Sequence, residues 1–229
     1  MLLTKRSKGF SLLELTIVLV IVSLLSSGLM MTLSSQMEQR SRTQTQQQLQ
    51  DIRDSLLGYA AAHIALDGKP YLPCPDTDGD GIENRSGNTC SNQEGNLPWN
   101  DLGLADQDAW GNRFRYRVEP GFSRNDVGFT LNTAANLRVC NLAGCTSTLA
   151  TGLPAVVVSH GKNGFGATNT GNTVNPAPTS PDEIENTNGD SDFVWHTPTP
   201  PGANEFDDQL TWVPAAILYN RMIAAGRLP

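Results

Sequence analysis

Basic residues are in deficit in this 229-residue chain: 16 Lys and Arg stand against 23 Asp and Glu, a formal net charge of −7. Binding to phosphate relies on Lys and Arg displacing counterions, so the balance argues against a generic nucleic-acid-binding module. Histidine is scarce, with three residues. No Cys-x2-Cys pair and no neighbouring His pair is present, which argues against structural zinc. No G-x-S-x-G elbow surrounds any serine. The glycine-rich run Gly161-Lys162-Asn163-Gly164-Phe165-Gly166 lacks the order in which Gly-Lys-Ser/Thr closes a phosphate loop. Ser159 and His160 are adjacent on an expected strand, where they would point to opposite faces and could not pair as nucleophile and base. His63 and His196 read as structural. Nothing assembles an active site, and the chain is expected not to be an enzyme.

Two further absences are positional. All four cysteines lie beyond residue 70, which suits two disulfides formed in an oxidising, exported compartment. Across residues 10–33 the only charged residue is Glu14. Roughly 20 apolar residues cross a bilayer as a helix. Lys5, Arg6 and Lys8 precede the run, so the positive-inside rule keeps the N-terminus cytoplasmic and exports the chain beyond the run. A secretory signal peptide has a shorter apolar core and a small-x-small cleavage site, and residues 26–28 match that poorly. A plain signal anchor leaves Glu14 unexplained. A carboxylate in the apolar zone costs about 2.5–3.5 kcal/mol on insertion scales, and so calls for a partner or a function.

Lys8-Gly9-Phe10-Ser11-Leu12-Leu13-Glu14 resembles the leader junction of type IV prepilins and type II secretion pseudopilins. The resemblance implies cleavage between Gly9 and Phe10 by prepilin peptidase and N-methylation of Phe10. It also implies that Glu14 neutralises the N-terminal amine of a neighbouring subunit during assembly. An amine and a carboxylate in an apolar filament core must pair to be tolerated. Removing the leader would take away three positive charges, giving −7 − 3 = −10 for the mature chain. The implied partners are prepilin peptidase, other pilins or pseudopilins and an inner-membrane assembly platform, with nucleic acid not among them. The implied location is the bacterial inner membrane, single-pass with a periplasmic head, and then a pilus or pseudopilus. The competing expectation is a signal-anchored periplasmic ligand-binding or enzymatic domain.

Residues 36–50 contain no Gly or Pro, and Leu49, Ile52, Leu56, Tyr59 or Ala60, and His63 or Ile64 recur at three- and four-residue steps. That is an apolar stripe on a helix. Asp67-Gly68-Lys69-Pro70 is its stop. One helix over residues 10–66 would be about 85 Å long. The expected fold class is α+β: a long N-terminal α-helix, with a membrane half and an amphipathic half, packed on a small, loop-rich antiparallel β-sheet head. The expected divisions are a leader at 1–9, a transmembrane assembly helix at 10–34, its amphipathic continuation at 35–66 and the head at 67–229.

In the head, residues 113–118 alternate Arg with Phe, Tyr and Val, which predicts a half-buried strand with Arg113, Arg115 and Arg117 outward, on a solvated face or a subunit contact. Further strands are expected at 128–131, 137–140, 155–159 and 209–213, and a terminal helix at 215–225. Segments 97–112 and 206–212 resemble, more loosely, the corresponding sheet regions of pseudopilin-like proteins. Four cysteines allow three connectivities, of which Cys74–Cys90 with Cys140–Cys145 is the simplest. Between the first two lies Asp76-Thr77-Asp78-Gly79-Asp80-Gly81-Ile82-Glu83. Oxygens at positions 1, 3 and 5 with glycine at 6 wrap a hard cation, and the run resembles the start of EF-hand-like calcium loops. Position 12 is Gly87, so Glu83 or a more distant carboxylate would have to close the shell around calcium. Asp190, Asp192, Asp207 and Asp208 offer a second cation site as the alternative, but a solvated acidic loop is the favoured expectation.

Overall fold

Ser11 stands immediately ahead of the first helical turn. Its carbonyl accepts from the Leu15 N–H at 3.1 Å, and its hydroxyl oxygen accepts from the Glu14 N–H at 3.2 Å. That is N-cap geometry, and it satisfies a donor the helix start would otherwise orphan. Helix α1 runs over Leu12–Ala62. A computed structural model describes residues 9–229, with the side chains of residues 26–34 outside that description. The leader residues Lys5, Arg6 and Lys8 also lie outside the described residues. Two compact units divide the chain, Met1–Ser41 and Arg42–Pro229.

In the first unit every described side chain over residues 11–25 is exposed. A helix apolar on all sides belongs in lipid or in a packed core. Thr16 and Ser23 fit that setting because their hydroxyls donate back to the carbonyls of Leu12, Leu13 and Val20 at 2.8–3.0 Å. Among the described residues no helix is long and apolar enough to cross a membrane. Within the expected 10–34 span the described side chains stop at Leu25, and its remainder is residues 26–34.

In the second unit the helical stripe is buried from Leu49 to Ala60, whereas its last expected step, His63 or Ile64, is exposed. Leu49, Ile52, Leu56 and Ala60 share one core with Leu72, Tyr116, Val118, Phe122, Val157, Val213, Leu218 and Met222. Full burial of one such leucine is worth about 1.5–3 kcal/mol. The helix ends at Ala62, four residues before the expected Leu66. Arg227 donates to the Ala61 carbonyl at 2.7 Å, and the chain turns into an antiparallel bridge between Ile64 and Pro70. Asp67 and Gly68, with φ +82 at the glycine, form the turn of that bridge instead of a helix stop.

The remaining elements are β1 (Arg85–Ser86), β2 (Thr89–Cys90), β3 (Glu94–Asn96), α2 (Trp99–Leu102), β4 (Arg115–Val118), α3 (Pro120–Ser123), β5 (Leu137–Cys140), β6 (Thr148–Leu153), β7 (Ala155–Ser159), α4 (Pro181–Glu185), β8 (Asp192–Val194), β9 (Gln209–Val213) and α5 (Ala215–Ala224). The main sheet runs β3-β4-β7-β9 and is antiparallel throughout. A second sheet runs β6-β5-β8, in which β5 and β8 are parallel, a pairing the expected antiparallel head did not include. Strand β7 is buried on both faces. Ala155 and Val157 enter the helix-facing core, while Val156 and Val158 enter a second cluster with Leu137, Val139, Leu153 and Phe193. The strand expected at 128–131 does not form. Its donors are taken outside any ladder: Gly128 N–H by Asp67 Oδ1, Phe129 N–H by the Pro70 carbonyl, and Thr130 N–H by Thr133 Oγ1.

Candidate functional site

Gly9 and Phe10 precede the helix, and Phe10 is 80 % exposed. Glu14 lies in the first turn of α1, three residues after Ser11. The Ser-x-x-Glu spacing is a helix-start signature that sequence reasoning passed over, although it was there to be read. Glu14 thus sits where a carboxylate also favours the positive end of the helix dipole, in a turn flanked by exposed Leu12, Leu13 and Leu15. Such a group can receive a cation from outside the chain.

The four cysteines pair as Cys74–Cys90 and Cys140–Cys145. Inside the first bridge, the carboxylates of Asp76, Asp78 and Asp80 come within 4.8 Å of one another. Asp76 is buried and organises the turn. Its Oδ1 accepts from the N–H groups of Asp78 and Gly79, and its Oδ2 from Gly81, at 2.6–3.1 Å. Burial pushes its carboxyl up despite those bonds. Gly81, at φ +83, is held against Trp99 where any Cβ would collide with the indole. The structure does not bring Glu83 to this group. Both Glu83 oxygens are engaged by Arg85 at 2.8 Å, and Oε2 also accepts from the Cys74 N–H.

The arginine row differs from its expectation. Arg115 and Arg117 both pair with the buried Glu94 across the β3–β4 register. Arg113 is buried, lies 4.1 Å over the Trp99 ring, and donates to the carbonyls of Gly79, Asn169 and Thr170. The three guanidinium groups tie loops to the sheet, so they do not form a solvated face.

A second departure concerns the later acidic residues. Asp192 pairs with Arg138 at the surface, but Asp207 and Asp208 are buried with Glu183, and these three carboxylates approach within 4.8 Å. Ser159 donates to Asp108 Oδ2 at 2.6 Å, and Asp108 also accepts from the N–H groups of Trp110 and Asn112. His160 lies with its Nδ1 3.5 Å from Asp208 Oδ1. Sequence reasoning missed Asp108 and Glu183, because each gains its role from partners about 20 to 50 residues away.

Burial, with Asp208 and Asp207 adding like charge, pushes Glu183 up to about 7. Burial likewise pushes Asp207 up to about 6, with Asp208 and Glu205 raising it and Arg42 opposing. Both values exceed those of an unfolded chain, about 4.3 and 3.9. The stability these groups add is therefore complete below about pH 4 and is lost progressively as pH rises from there through 6 to 7. In chelator, the full chain in detergent should melt about 5 °C lower at pH 8 than at pH 5. A melting temperature that rises over that interval would contradict the burial argument.

The fold and its N-terminus define a class: an α+β protein whose first helix opens on an all-round apolar turn with one glutamate, ahead of a disulfide-bonded domain. Residues 4–30 match the model of the prokaryotic N-terminal methylation motif. That match supports a type IV pilin-like or pseudopilin family. It implies a membrane-anchored precursor that prepilin peptidase processes and that assembles with other pilins. No curated protein and no solved structure matches the chain.

Proposed function

We propose that the protein is a structural subunit, a minor pilin or pseudopilin, assembled into a type IV pilus or type II secretion pseudopilus and not an enzyme. Cleavage between Gly9 and Phe10 frees an amine, and the subunit leaves the bilayer for the filament core. There the apolar helices pack together and Glu14 meets the amine of Phe10 on a neighbouring subunit. The observation that carries this reading is the single carboxylate in an otherwise apolar helix start, directly downstream of the methylation motif's glycine. In a host with prepilin peptidase, part of the protein should move from the membrane fraction to sheared filaments. In a host lacking the peptidase all of it should stay in the membrane. The same distribution in both hosts would defeat the proposal.

The Asp76 turn fits weak calcium binding of the kind that fills at millimolar concentrations, with three carboxylates contributing and Glu83 withheld by Arg85. Calcium should raise the melting temperature by about 2–4 °C, the effect of roughly 1 kcal/mol in a domain of this size. Asp78→Asn with Asp80→Asn should remove the increment. That pair is the better test, since Asp76 also holds three backbone donors. Equal melting in calcium and chelator would exclude the site.

A further inference from the structure

Glu183 on α4 and Asp207 and Asp208 ahead of β9 are buried together, and an uncompensated buried charge costs several kcal/mol. Their outer oxygens are held in place. Glu183 Oε1 accepts from Asn163 Nδ2 at 2.9 Å and from the Asp207 N–H at 3.2 Å. Asp207 Oδ2 accepts from the Asn163 N–H at 3.0 Å, and Asp208 Oδ2 accepts from Asn186 Nδ2 at 2.7 Å. Their inner oxygens, Asp207 Oδ1 and Asp208 Oδ1, are buried with no hydrogen-bond partner. A second, independent feature points the same way. His160 is fully buried, neither of its ring nitrogens has a hydrogen-bond partner, and its Nδ1 faces Asp208 Oδ1. Gly161 comes next at φ +57, where any Cβ would collide with Asp207.

We propose that the Glu183, Asp207 and Asp208 carboxylates, with the His160 ring beside Asp208, form a buried site for a first-row transition divalent cation, of which Mn2+ is the probe. Two positive charges would offset two of the three carboxylates, and the ion would take up the oxygens and the nitrogen that nothing else satisfies. Two donors each about 2.1 Å from one ion stand about 3.0–3.4 Å apart, close to the separation of His160 Nδ1 and Asp208 Oδ1. Calcium takes six to eight oxygens and has little use for imidazole, whereas a mixed carboxylate and imidazole set suits transition ions. Asn163 and Asn186 hold the ligands from behind, as metal sites require. His160 also lines a cavity of about 270 Å³ together with Asp76, Thr77, Arg113 and Arg115.

The test uses the full chain in detergent, stripped with chelator and titrated with Mn2+ while the free-ion paramagnetic resonance signal is recorded. One equivalent should bind, at least about tenfold more tightly than calcium in competition. Asp208→Asn should abolish binding, while Asp78→Asn with Asp80→Asn should leave it unchanged. Should circular dichroism show Asp208→Asn unfolded, His160→Gln supplies the second reading: it removes the nitrogen and should erase the preference for Mn2+ over calcium. No Mn2+ binding, a preference for calcium, or undiminished binding in folded Asp208→Asn would each overturn the proposal.

Discussion

Glu14→Ala should leave membrane insertion intact and cut incorporation into filaments at least about tenfold relative to the unaltered chain. Insertion needs only the apolar run, which loses a polar group in the substitution and becomes easier to bury. Incorporation needs more, because the amine freed at Phe10 enters an apolar core with its charge. Removing one member of a buried pair typically costs about 3–5 kcal/mol, since the other is left uncompensated. Glu14→Gln separates charge from shape: it keeps the length and hydrogen-bonding atoms but should fail almost as badly. Quantifying the subunit in sheared filaments against the membrane pool reads both effects. Normal incorporation of either variant would mean that Glu14 does not carry the counter-charge.

Replacing Cys74 and Cys90 together by serine should lower stability by about 3 kcal/mol, or roughly 6–12 °C in melting temperature for a domain of this size. The bridge spans a sequence separation of 16 and encloses the Asp76 turn and the β1–β2 ribbon. Cys74 belongs to the helix-facing core, and next to it the Pro73 carbonyl accepts from the buried Tyr116 hydroxyl at 3.1 Å. Loosening this loop therefore disturbs the face on which Leu56 and Ala60 pack. The Cys140–Cys145 bridge, with a separation of 5, should contribute less, about 2 kcal/mol in the same chain-entropy picture. Thermal melting of the two double variants checks the order. Equal effects, or none for the first pair, would show that the loop holds its shape without the bond.

The parts of the fold legible in the sequence were those governed by local periodicity. The buried stripe Leu49, Ile52, Leu56 and Ala60 comes from three- and four-residue spacing alone. Strands β5, β7 and β9 likewise come from short apolar runs bounded by turn residues. The features the sequence hid were set by distant partners. Arg227, 166 residues further on, takes the Ala61 carbonyl and helps end the helix early. Glu94 draws Arg115 and Arg117 out of solvent, and Trp99 does the same for Arg113. Arg85 removes Glu83 from the acidic turn, and Asp207 with Asp208 goes inward to donors on Asn163 and Asn186. A carboxylate looks the same in a sequence whether it meets water, a guanidinium or another carboxylate. Only the packing decides. At the N-terminus the reverse holds, since Gly9, Phe10 and Glu14 draw their meaning from spacing that no folding alters.

Intact-mass measurement of the chain recovered from cells with active prepilin peptidase tests that spacing most directly. The expected species begins at Phe10, lacks the nine residues before it and is heavier by one methyl group. Functional protein recovered from filaments with its Gly9–Phe10 bond unbroken would contradict the account, because Glu14 would then have no amine to meet.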